Sequence, residues 1–133
     1  MHQDNETRQI MTVTGPDFVA LQVLNVERSA EFYQNQLGLE RAPGTPPGVV
    51  LFATQPIPFA IRPPLPGVDV ESIRPNPGAG VALWMQADDS QALHDKLAAA
   101  GVPIAAPPAD GPFGRAFTFT DPDGYAITIH DRA

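Results

Sequence analysis

The chain contains three histidines and no cysteine, which excludes disulfides and thiolate chemistry. His130 ends an alternating run, Tyr125-Ala-Ile-Thr-Ile-His130. There it could hydrogen-bond a ligand or act as a general base near neutral pH. His94 sits beside Asp95 and Lys96 in a helical run and reads as facing water, and His2 belongs to a polar tail. Gln22 and Gln86 occupy matching places in two similar segments. With His130 they form the one same-face combination that could bind a metal, and two amides with one imidazole make a weak ligand set. No Ser–His–Asp set, phosphate-cradling loop or catalytic pair of carboxylates can be placed on the chain. Asp121 and Asp123, in Asp121-Pro-Asp-Gly124, read as structural turn residues.

The elements that must position these groups are written twice. Asp17–Asn25 and Gly80–Asp89 each carry an apolar strand pattern ending in a polar cap. Each is followed by three helical turns, and Asn25 precedes Gly38 by the same interval as Asp88 precedes Gly101. Asn25 and Asp88 or Asp89 can accept from the first free N–H groups of a helix, and the glycines supply left-handed stops. Strands are expected at 18–23, 39–41, 49–54 and 58–62, then at 81–86, 104–105, 115–120 and 125–130. The expected fold is α+β: two tandem βαβββ modules forming a cupped mixed sheet with helices on its outer face. Residues 1–13 read as a tail, 14–62 as the first module and 80–133 as the second. The Pro- and Gly-rich stretch 63–79 between them is either a crossover or a lid.

Strand alternation sorts the side chains by face. Odd positions are apolar (Val19, Leu21, Val23; Val81, Leu83, Met85; Ile127, Ile129) and should pack beneath the helices. Even positions are mixed (Phe18, Ala20, Gln22; Ala82, Trp84, Gln86; Ala126, Thr128, His130). Aromatic area with a few neutral polar groups suits a concave site for a small organic molecule. The plainer alternative is a sheet face closed by a dimer partner. Trp84, the single tryptophan, would stack a planar ligand opposite Phe18, or simply fill the core. Arg62 could neutralise a ligand charge or cap the module's edge. Arg115 follows the glycine-flanked loop Asp110-Gly-Pro-Phe-Gly114, which could move as a lid or serve as ordinary punctuation. The ligand-binding set read from the chain is Phe18, Gln22, Arg62, Trp84, Gln86, Arg115, Phe117, Thr128 and His130.

Composition bounds the partners. A length of 133 residues makes one domain, and 43% hydrophobic residues argue for a packed core. The net charge of −7, with no Lys/Arg cluster, argues against nucleic acid or an anionic membrane surface. No stretch has the length and apolarity of a membrane span, and no secretory signal pattern opens the chain, so a cytoplasmic setting is the default expectation.

The segments Val19-Ala-Leu-Gln-Val-Leu-Asn-Val-Glu-Arg-Ser-Ala-Glu-Phe-Tyr33, Leu37-Gly-Leu39 and Phe119-Thr-Asp-Pro-Asp-Gly-Tyr-Ala-Ile-Thr-Ile129 resemble the vicinal oxygen chelate superfamily. That superfamily includes glyoxalase I, extradiol dioxygenases, fosfomycin resistance enzymes and bleomycin-binding proteins. The resemblance implies the paired βαβββ fold and a homodimer, since related proteins often complete their clefts with a second chain. Its metal-dependent members hold a divalent ion with His, Gln or Glu at positions that fall here on Phe18, Ala82 and Thr128. Phe and Ala offer no lone pair, and Thr is a poor neutral ligand. The expectation is therefore no metal and no cofactor, and binding of a small apolar or aromatic molecule, as in drug or toxin sequestration. The rival readings are a lyase or oxygenase using an unorthodox metal site or a His130 base, and a partner-binding domain with a filled cleft.

Overall fold

The computed structural model describes residues 12–44 and 46–132. Most of the expected tail, including His2, lies outside them. The first module comprises β1 (Val19–Gln22), α1 (Val26–Leu37), β2 (Val50–Phe52) and β3 (Phe59–Arg62). The second comprises β4 (Leu83–Gln86), α2 (Ser90–Ala99), β5 (Ile104–Gly111), β6 (Gly114–Thr120) and β7 (Ala126–His130). The sheets run β1-β3-β2 and β4-β7-β6-β5, with β1–β3 and β4–β7 parallel and the remaining pairs antiparallel. No helix among the described residues is long and apolar enough to cross a membrane.

Both helices start and stop as their sequences dictate. The Asn25 side chain accepts from the Arg28 N–H at 3.0 Å, and Gly38 ends α1 at φ 73°. Of the two candidate caps on α2 it is Asp89 that accepts, from the Ala92 N–H at 3.0 Å, and Gly101 follows at φ 81°. These caps satisfy N–H groups that the helix itself cannot reach.

The odd-numbered faces do form the core. Leu21, Val23, Ile127 and Ile129 are buried with Tyr33, Phe52, Phe59, Leu97, Phe117 and Phe119 in one cluster spanning both modules. Three expectations are corrected. Residues 39–41 form no strand, and Arg41 makes only an isolated bridge to Phe52. Val81 is 76% exposed, because β4 begins at Leu83 after a turn in which the Val81 N–H meets the Gly78 carbonyl. Residues 104–105 open a much longer strand, β5, which reaches Gly111.

The crossover is packed onto the second module. It carries a 3₁₀ turn at Glu71–Ile73, buries Val70, and lays Pro75 and Pro77 against Gly124. A Cβ on Gly124, whose φ is 98°, would lie 3.0 Å from the Pro75 carbonyl oxygen. Only glycine suits that position.

The modules are joined by polar groups as well as by the core. Asp121 and Asp123, in the β6–β7 turn, are 5% and 0% exposed. Asp123 accepts from the Leu24 N–H and the Ser29 hydroxyl, both at 3.1 Å. Asp121 accepts from the Tyr33 hydroxyl at 2.6 Å and from the N–H groups of Asp123 and Tyr125. Tyr125 returns the contact by donating to the Gln22 carbonyl at 2.6 Å. Buried donors that lose such an acceptor cost about 1–3 kcal/mol each.

Burial pushes the Asp121 carboxyl above its ordinary range, and the Tyr33 hydroxyl and backbone N–H donors only partly oppose that shift. A folded-state pKa raised above the unfolded value gives stability that is full below the ordinary carboxylate pKa, about 4, and is lost as pH rises through the raised value. Asp121→Asn carries no such proton. Urea denaturation should find this variant most destabilised relative to wild type near pH 4, with the gap narrowing by pH 7. A gap that widens with pH would contradict this account.

Candidate ligand-binding site

The junction of the two modules holds a cavity of about 570 Å³, within the size range of small-molecule sites. From the first module it is lined by Val19, the end of α1 and the β2–β3 connection. From the second it is lined by β4, Leu93, Ile129 and His130. Of the residues anticipated from sequence, it brings together Trp84, Gln86 and His130. Parallel pairing sets Gln86 beside His130 and Trp84 beside Thr128 on the even-numbered face of the second sheet.

Phe18, Gln22 and Arg62 lie elsewhere. They line a second hollow of about 550 Å³ on the open face of the first sheet, together with Ala20, Ala60 and Leu65. Phe18 and Trp84 therefore do not share a concavity within one chain. The Gln22 Oε1 accepts from the Leu65 N–H at 2.8 Å, and the Arg62 Nε donates to the Pro63 carbonyl. The trio Gln22, Gln86 and His130 is split between two hollows and does not converge as a metal site would.

Two other residues are relocated by the strand register, and a third, Thr128, keeps its expected face. Phe117 pairs with Ile129 and is 1% exposed, so it belongs to the helix-side core, away from the cup. Arg115 shares that parity. Its guanidinium bonds Asp110 at 2.9 and 3.1 Å and the Gln91 side chain at 3.0 Å. This pairing draws the Asp110 carboxyl below its usual range. Thr128 is on the cup face, where its hydroxyl shares a 2.8 Å hydrogen bond with Thr118. His94 does not face water freely: its side chain is 19% exposed and its ring stands edge-on to Phe117 at 5.3 Å.

The loop read as a lid is the tip of a hairpin. Gly111 pairs with Gly114, leaving Pro112 and Phe113 as a two-residue turn. Gly114 has φ 85°, and a Cβ there would collide with the Asp131 carboxylate. That carboxylate accepts from the Arg115 N–H and the Ser90 hydroxyl, each at 3.0 Å, and both hold its pKa below the ordinary value. The Phe113 carbonyl accepts from the Arg132 N–H at 3.0 Å.

So anchored, Phe113 becomes a site residue that the sequence reading missed. Its ring centroid lies 5.8 Å from Trp84 and 6.2 Å from His130, and Trp84 and His130 are 5.7 Å apart. All three contacts are edge-to-face, the arrangement that ring quadrupoles favour. Trp84 remains 47% exposed and Phe113 53%, so this aromatic cluster leaves apolar area available at the edge of the cavity.

The sequence matches the Glyoxalase/Bleomycin resistance protein/Dioxygenase superfamily over residues 15–129, and the chain belongs to that superfamily. Among solved structures it is similar to TnmS3, an antibiotic-binding protein from Streptomyces sp. CB03234. The identity is 21% and the TM-score 0.71, covering 92% of this chain and 99% of that one. A protein of unknown function from Agrobacterium tumefaciens str. C58 is 26% identical, with TM-score 0.69 over 92% and 99% of the two chains. The fosfomycin resistance protein FosX from Listeria monocytogenes is 16% identical, with TM-score 0.69 over 92% and 96%. A comparison with curated proteins finds no match.

The three positions that the resemblance assigns to metal ligands carry side chains that do not suit a cation. Phe18 presents an exposed ring, Ala82 a methyl group outside the strand, and Thr128 a hydroxyl engaged by Thr118. Among the described residues no three His, Cys, Asp or Glu side chains are grouped so as to hold a metal ion.

Phe113→Ala should move Trp84 emission to longer wavelength, because water replaces the ring at its edge. The unfolding free energy should change by less than about 1 kcal/mol, as expected for a half-exposed side chain. An unshifted spectrum would mean that Phe113 does not shield Trp84 in solution.

Proposed function

We propose that this protein binds a small, largely aromatic molecule without a metal, at the Trp84–Phe113–His130 cluster beside the inter-module cavity. The observation that carries this reading is the cluster itself: two half-exposed aromatic rings and an imidazole, fixed by the backbone at the edge of a cavity of suitable size. Sequestration of a toxic compound is a use that fits, and an antibiotic-binding protein of the same fold supports it. Because Trp84 is the only tryptophan, its fluorescence reports this site alone. Titration with a panel of fused-ring aromatic compounds should give saturable quenching by at least one member. Calorimetry with that compound should show about tenfold weaker binding to Trp84→Leu, as expected for loss of an aromatic contact. No saturable response across the panel would favour a partner-binding domain with a filled cleft.

We further propose a homodimer in which the second hollow, around Phe18, is completed by another copy. Two features support it: Phe18 is 52% exposed on a concave face, and β1 and β4 each lie at the edge of their sheet. Open strand edges and exposed aromatic faces are ordinarily protected by pairing. Light scattering should give twice the mass of one chain, and Phe18→Glu should return the monomer mass. A monomeric wild type would end this proposal.

A further inference from the structure

We propose that the ligand presents a hydrogen-bond donor, a hydroxyl or N–H on the edge of its aromatic system, to Nε2 of His130. The proposal rests on the aromatic site described above and adds the polarity that the ligand must have. The His130 Nδ1 lies 2.7 Å from the Arg132 carbonyl oxygen. A carbonyl can only accept, so the hydrogen of this bond is on Nδ1. In the neutral ring that choice leaves Nε2 with a lone pair and no hydrogen.

Nothing among the described residues uses that lone pair. The ring lines the inter-module cavity, and its hydrogen bond to Arg132 is made through the other nitrogen. Turning the ring over would put a carbon against the Arg132 carbonyl, so the hydrogen bond fixes which nitrogen faces away from it. The acceptor is thus held in one orientation beside apolar surface.

The neighbouring polar groups do not impose the same demand. Gln86, the register partner of His130 on β4, has an amide that can donate or accept. Thr128 already shares its hydroxyl with Thr118. His130 is therefore the group that discriminates. A ligand donor gains a hydrogen bond partly shielded from water, whereas a ligand acceptor at the same place would meet a lone pair.

Long-range ¹H–¹⁵N correlation of the imidazoles tests the first half directly. His130 is assigned by its loss in His130→Phe, and the spectrum is taken at pH 8, where free imidazole is uncharged. The expected result is a hydrogen on Nδ1 and none on Nε2, and a hydrogen on Nε2 overturns the proposal. Calorimetry with 2-naphthol and 2-methoxynaphthalene tests the second half, since the probes share an aromatic surface and differ in the donor. Wild type should favour 2-naphthol about tenfold, and His130→Phe, which keeps a ring, should narrow this to under about twofold. Equal affinities in wild type, or a preference that survives in His130→Phe, overturns the donor assignment and leaves the aromatic site standing. Binding of neither probe to wild type removes both.

Discussion

The burial of two carboxylates in the β6–β7 turn is the constraint on which the arrangement of this molecule depends. Asp121 and Asp123 come from the second module, yet their partners Leu24, Ser29 and Tyr33 belong to the first. An acidic side chain is tolerated in an interior only where donors surround it. The turn can therefore sit in just one place, against the start and middle of α1. Apolar packing alone would tolerate sliding between two similar modules, whereas directed hydrogen bonds to fixed atoms would not. The Tyr125 hydroxyl adds a bond at the end of β1, so the same turn also sets the strand that borders the cavity.

Fixing the modules in this way consumes the helix-side faces of both sheets. Beside this packing lie a cavity at the junction and a hollow on the outer face of the first sheet. The aromatic cluster stands beside the first of these and draws its members from β4, β7 and the β5–β6 hairpin tip. Its hairpin tip is tied down by hydrogen bonds at the hairpin base, where Asp131 collects the Arg115 N–H and the Ser90 hydroxyl. The scaffold of the Glyoxalase/Bleomycin resistance protein/Dioxygenase superfamily here presents two half-exposed rings and an imidazole.

Much of this was legible in the chain because helix caps and strand parity are local properties. Asn25, Gly38, Asp89 and Gly101 mark the helices, and alternation separates Leu21 and Ile127 from Gln22 and Thr128. β5 escaped because Pro107 and Pro108 lack the N–H that a central strand needs. The structure accommodates them on a sheet edge with register shifts on either side of Ala106. With the strand went its hairpin partner in register, and with that the place of Phe113. Phe117 and Arg115 were assigned to the cup although their odd numbers match Ile127 and Ile129, and the β6–β7 register puts them on the helix side. Which cup residues meet across modules was not legible at all, since parity sorts faces within a sheet and carries no information about how two sheets are set. The buried Tyr33–Asp121 bond, which does set them, joins residues far apart in the chain.

Arg132 touches the site through its main chain. Its N–H holds the Phe113 carbonyl and its carbonyl holds the His130 ring, so one peptide segment orients two walls of the aromatic cluster. Neither contact involves the guanidinium. Drift at this position among related proteins would be almost free, and comparison of sequences would pass over it as ordinary surface. Proline would be the exception, because it has no N–H to offer the hairpin tip.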